Sequence, residues 1–151
     1  MPDRIEKEIV INAPRARVWR AISDRTEFGT WFKVNLPAGT FAPGETVKGQ
    51  ITYPGYEHLV MDMEIIEVEP ERRLSYRWHP GAPDPKSDYS SEPKTLVTFT
   101  LEDADGGTRL TLVESGFDQL PLPRRDAAFR SNEPGWTEQM QNIKRHVTAS
   151  S

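Results

Sequence analysis

The chain has 151 residues, of which 36% are hydrophobic and 28% charged, a composition that excludes a disordered chain and is expected to make one domain over residues 1–151. The formal net charge of −4 gives no electrostatic reason to expect nucleic acid or an anionic membrane as partner. The absence of cysteine excludes disulfides, thiolate nucleophiles and cysteine metal sites.

Ile5 to Ile11 alternates, with Ile5, Lys7, Ile9 and Ile11 on one face, and predicts a strand whose inward side is interrupted by Lys7. Pro14 suits the first turn of a helix, where its missing N–H costs nothing. That helix runs to about Ile22, with Val18, Ile22 and Trp19 as its apolar side. Ser23-Asp24 caps a second short helical segment that holds Phe28, Trp31 and Phe32.

Short strands follow. Val47, Gly49, Ile51 and Tyr53 share a face, and Pro54-Gly55 turns the chain. From His58 to Val68, Leu59, Met61, Met63 and Ile65 oppose Asp62 and Glu64. Leu74, Tyr76 and Trp78 then oppose Ser75 and Arg77. His79 to Pro93 is proline-rich and aperiodic, and predicts a long loop that either covers a site or simply moves. Val97, Phe99 and Leu101 resume the alternation. Asp103 to Gly107 signals a hairpin, and Leu110, Leu112 and Glu114 continue in one phase.

The remainder is helical in pattern. An amphipathic segment over 121–132 carries Ala127, Ala128 and Phe129. Glu133-Pro134-Gly135 is expected to interrupt it. Trp136, Met140, Ile143 and Val147 then form a stripe at helical spacing. Strands joined by tight turns, without βαβ alternation, give an α+β fold with an antiparallel meander. About six strands are expected, and their apolar face needs the C-terminal helix as cover. Residues 1–8 carry both charges rather than a signal peptide, and no run approaches the ~18 apolar residues of a membrane span. The expected location is the cytoplasm.

Ile-Val-Ile-Asn-Ala-Pro (9–14), Val18-Trp19 and Trp31-Phe32 together resemble the START-like, or SRPBCC, helix-grip superfamily, which includes the Bet v 1 allergens and polyketide cyclases. Tyr76-Arg77-Trp78-His79-Pro80, Val113 to Phe117, and Gly135-Trp136 with Ile143 are similar to its bacterial branch related to the heat-shock-protein-90 ATPase activator. The resemblance covers nearly the whole chain. It implies a curved sheet wrapped around a long C-terminal helix, two short helices after the first strand, and a cavity holding a lipid, a sterol or an aromatic polyketide-like molecule. It does not imply one activity. The chaperone activator has a further N-terminal domain that this chain is not expected to hold, so a chaperone partner ranks last. A monomer or homodimer is expected.

Glu114 carries the most information of any single residue. Its phase turns a carboxylate toward apolar neighbours, which is costly unless it is paired or protonated. It is either a ligand anchor or a general base; otherwise it reaches water at a strand end or pairs with an arginine. Trp31, Met61, Met63, Tyr76, Trp78, Phe99, Phe117, Phe129, Trp136 and Met140 face the same interior. They form either a ligand-binding wall or plain core. His79 borders the proline-rich loop and is a candidate ligand contact. His58, His79 and His146 lack metal-ligand spacing, and no Gly-x-Ser-x-Gly elbow is present. Neither a metal nor a cofactor is expected. Arg124, Arg125 and Arg130 read as a solvated face or as partners for nearby acids. Three functions remain: a hydrophobic-ligand binder, a cyclase- or dehydratase-like enzyme using Glu114, and a co-chaperone-like interaction module.

Overall fold

The computed structural model describes residues 4–79 and 93–149. Strands β1 (Arg4–Ile11), β2 (Val34–Asn35), β3 (Thr46–Ile51), β4 (Val60–Glu69), β5 (Arg73–Trp78), β6 (Thr95–Ala104) and β7 (Gly107–Ser115) alternate with few helices. Helices α1 (Arg15–Ser23) and α2 (Arg25–Phe32) follow β1, and α3 (Leu122–Ala149) comes last. The fold is α+β: one curved antiparallel sheet in the order β1-β7-β6-β5-β4-β3-β2, with α3 against it. The core of the predicted proline-rich loop, residues 80–92, lies outside the described residues.

The sheet has seven strands rather than about six. The extra one, β2, is two residues long and too short to show a period. It pairs with β3 at Val34↔Ile51 and Asn35↔Gln50. Gly49 permits this close approach, because a Cβ there would stand 2.2 Å from the Asn35 carbonyl oxygen.

Alternation sets the buried face. Met61, Met63 and Ile65 of β4, Leu74 and Tyr76 of β5, Val97, Phe99 and Leu101 of β6, and Leu110 and Leu112 of β7 are all buried. Adjacent strands bring them side by side, as in Ile65↔Tyr76, Leu74↔Phe99 and Phe99↔Leu112. A register shift between Ile65 and Glu67 marks a bulge in β4, a device that bends a sheet. Lys7, the inward residue that broke the pattern of β1, lies under α3 and reaches Glu133 with Nζ–Oε2 at 2.6 Å.

Asp24 caps α2 as its sequence signal predicts, its Oδ1 accepting from Thr26 N at 2.8 Å. The expected break at 133–135 does not occur. Helix α3 runs through Pro134 without interruption. Pro134 removes one backbone donor, but Pro134 and Arg130 are both exposed, so the Arg130 carbonyl that loses its partner can face water. The buried stripe Trp136, Met140, Ile143 and Val147 then outweighs the local defect.

Candidate functional site

A cleft of about 790 Å³ opens between α3 and the β3–β4 side of the sheet. Helix α2 supplies Trp31 and Phe32 to its wall. The β3–β4 hairpin supplies Ile51, Tyr53, Tyr56, Leu59 and Met61, and β5 ends there in Trp78, with His79 following it. Along α3, Asn132, Gly135, Trp136, Gln139 and Asn142 complete the lining. Lys33, Lys48, Asp62 and Glu138 bring charge of both signs to it.

Behind this wall stands Glu114, which is 0% exposed. Its Oε1 accepts from Trp136 Nε1 at 2.8 Å and Asn132 Nδ2 at 3.0 Å. Its Oε2 accepts from Trp78 Nε1 at 2.8 Å and Thr95 Oγ1 at 2.6 Å. None of these four partners is a cation. Two indoles, an amide and a hydroxyl together replace the water that a buried carboxylate would otherwise require. Neither an arginine partner nor contact with water accounts for the residue.

The donors tie three elements together: Trp78 ends β5, Thr95 begins β6, and Asn132 and Trp136 stand one helical turn apart on α3. Gly116, with φ at 99°, turns the chain sharply just after β7, so Glu114 sits at the strand's last buried position. A third indole is also engaged: Trp31 Nε1 donates to the Ala21 carbonyl at 2.8 Å. An indole has one donor and no acceptor. Trp31, Trp78 and Trp136 therefore have no polar group left for a ligand and offer it only ring surface. Phe32 joins them, with ring centroids 6.1 Å from Trp78 and 6.3 Å from Trp136.

Of the residues singled out in the sequence, Trp31, Met61, Trp78, His79 and Trp136 line the cleft. Met63, Tyr76, Phe99, Phe117, Met140 and Glu114 are buried behind it. Phe129 is half-buried and packs on Phe117 at 5.4 Å between centroids, away from the cleft. The cleft also holds residues that the pattern did not single out as ligand contacts. Asn132, Gly135, Gln139 and Asn142 recur at three- and four-residue intervals. That makes a polar stripe directly beside the buried one on α3. This spacing was the available signal.

Tyr76 is 0% exposed, and its hydroxyl has no hydrogen-bond partner among the described residues. Burial first, and then the charge of Glu114, push its phenol well above the ordinary range. It is therefore a protonated donor at any physiological pH. Among the described residues no three histidine, aspartate or glutamate side chains converge as metal ligands would. No helix among them is long and apolar enough to cross a membrane.

The sequence pattern of the family described as "Activator of Hsp90 ATPase homolog 1-like protein" matches residues 12–148. The chain belongs to this family. No curated protein matches it. Among solved structures, this Hsp90-activator-like chain is similar to protein MLL2253 of Mesorhizobium loti, at 26% identity, a TM-score of 0.77 and 98% coverage of each chain. DynU16, a protein in the dynemicin biosynthetic locus, shares the fold at 22% identity and a TM-score of 0.75. All of this chain aligns with 49% of that one. The Aha1 dimer from Colwellia psychrerythraea matches at 14% identity and a TM-score of 0.69, over 95% of each chain. The helix-grip architecture expected from the resemblance is thus the family's own.

Proposed function

We propose that the cleft binds a hydrophobic small molecule, of lipid, sterol or aromatic polyketide-like kind. One observation carries this reading: three tryptophans meet at a cleft of about 790 Å³ with every indole N–H already committed inside the protein. Such a wall gains from apolar contact and loses nothing polar when water leaves it. The neighbouring amides of Gln139 and Asn142 supply polar atoms at the edge. That DynU16 lies in a biosynthetic locus is a property of that protein, and it supports a small-molecule role for the shared fold.

A thermal-shift series with fatty acids, sterols, flavonoids and polyketides tests the proposal. A ligand at 100 times its Kd stabilises by about 2.7 kcal/mol, or roughly 5–10 °C for a domain of this size. The absence of a shift with every class removes the reading.

Binding ranks ahead of acid–base catalysis for a geometric reason. Glu114 would have to release one of its four hydrogen bonds before it could take a substrate proton. The family description favours a second reading, a chaperone contact. Tyr53, Tyr56 and Val60, exposed at the β3–β4 corner on the rim of the same cleft, offer apolar area for one. A pull-down against the bacterial chaperone separates the two: capture that a cleft ligand leaves unchanged assigns the contact to another surface.

A further inference from the structure

We infer that Tyr76 is the terminal anchor of the cleft, donating a hydrogen bond to an oxygen acceptor at the leading end of the bound molecule. This rests on the cleft being a small-molecule site, and it narrows the ligand to a neutral apolar body that carries a carbonyl or ether oxygen.

Among the described polar side chains that are 0% exposed, Tyr76 is the one with an unmatched group; Asp62 Oδ1, on the cleft lining, is also unmatched but can only accept. Glu114 is satisfied by four donors. The three indoles are each satisfied by an acceptor. The Tyr76 hydroxyl, fully buried, has no partner among the described residues. A buried hydroxyl left without a hydrogen bond costs about 1–3 kcal/mol. A ligand that supplies an acceptor recovers that cost, so the protein gains a preference for such ligands that the ring surfaces cannot provide. Because the phenol stays protonated, it recognises an acceptor and repels nothing neutral.

Tyr76 stands one side chain behind the lining. Its ring meets Trp78 at 5.6 Å and Phe28 at 6.4 Å between centroids. Phe32 touches both of these covering rings, at 6.1 Å and 5.3 Å. Trp78 is held by its bond to Glu114, and Trp31 and Trp136 by their own hydrogen bonds. A phenylalanine has no such tether. Phe32 on the cleft wall and Phe28, which covers Tyr76 directly, are therefore the rings that give way as the molecule moves inward from the cleft.

The test compares methyl naphthyl ketone with ethylnaphthalene, which has nearly the same shape and no acceptor. Affinities are read by quenching of tryptophan fluorescence in the full-length wild type and in Tyr76→Phe. The wild type is expected to prefer the ketone by about 3- to 10-fold, the usual worth of one neutral hydrogen bond. Tyr76→Phe is expected to abolish that preference while binding ethylnaphthalene as before. The unliganded variant should melt no lower than the wild type, since it loses a hydroxyl with no partner. A preference that survives in Tyr76→Phe, or a lowered melting temperature of the free variant, overturns the inference and leaves the cleft proposal standing. Binding of neither compound to the wild type also overturns the inference, while the cleft proposal falls only if the thermal-shift series fails with every class.

Discussion

The indole N–H of Trp136 and the carboxylate of Glu114 meet at 2.8 Å across the seam between α3 and β7. The same carboxylate takes the Trp78 indole at 2.8 Å from the opposite side. One buried anion thus orients two rings of the cleft wall while itself staying out of the cleft.

Glu114→Gln tests this positioning role. The amide keeps the shape but replaces one oxygen with an NH₂ donor. Thr95 can turn its hydroxyl, and Asn132 can turn its amide, to accept from that donor. An indole cannot. One of the two tryptophans therefore loses its acceptor. The expected loss of stability is about 1–3 kcal/mol, measured by chemical denaturation, together with a red-shifted tryptophan emission. A variant as stable as the wild type, with unchanged emission, would show that the bonds do not hold the wall.

Much of the fold was legible in alternation. Leu110, Leu112 and Glu114 share a phase, and that phase turned Glu114 inward as it does in the structure. Its partners were harder to see, because Trp78 and Trp136 arrive from a distant strand and helix. Two of the four had a local sign. Asn132 lies one turn before Trp136 on α3, so both can reach one acceptor. Thr95 shares a face with Val97, which pairs directly with Glu114. Pro134 misled the reading of α3, since helix propensity speaks for an isolated segment while the stripe from Trp136 to Val147 is set by packing on the sheet. The cleft itself left little trace. A filled core and a hollow one call for the same apolar residues, and Met63 and Phe99 fill space where Met61 and Trp31 border it.

The continuity of α3 through Pro134 predicts a gain on its removal. In Pro134→Ala the residue acquires an N–H that can pair with the Arg130 carbonyl, and the ring no longer crowds that carbonyl. Both residues are exposed, so no packing is disturbed. The expected stabilisation is about 1–3 kcal/mol, seen as a higher thermal midpoint. An unchanged midpoint would mean that the helix is already relaxed around the proline.

A second carboxylate contributes to the acid limb of stability. Glu27 on α2 meets Arg17 Nη1 at 2.8 Å, Arg20 Nε at 2.7 Å and His146 Nε2 at 2.9 Å. Burial alone would raise its pKa, but the bonds to His146, Arg17 and Arg20 prevail and hold it below the ordinary value of 4.5. A depressed folded pKa means that the unfolded chain takes up the proton first. The contribution of Glu27 is therefore complete above its unfolded value, and it is lost as pH falls through the folded one. Denaturation followed from neutral pH into acid should show Glu27→Gln with a shallower decline than the wild type. Parallel curves would place the acid sensitivity elsewhere.

Gly135 separates stability from binding most sharply. It lies inside α3, where glycine costs about 1 kcal/mol relative to alanine, and it has no left-handed φ to require it. A Cβ built there meets nothing within 4 Å. Neither backbone nor packing explains the residue; it lies on the cleft wall, where any side chain would occupy the space the proposed ligand needs. Gly135→Ala is expected to stabilise the free protein by roughly 1 kcal/mol. Gly135→Leu should fold as well as the wild type, because its added atoms enter open space, yet lose most of the thermal shift given by a ligand that binds the wild type. A leucine variant that binds the same ligand undiminished would place that ligand away from α3, and the three tryptophans would then be core rather than wall.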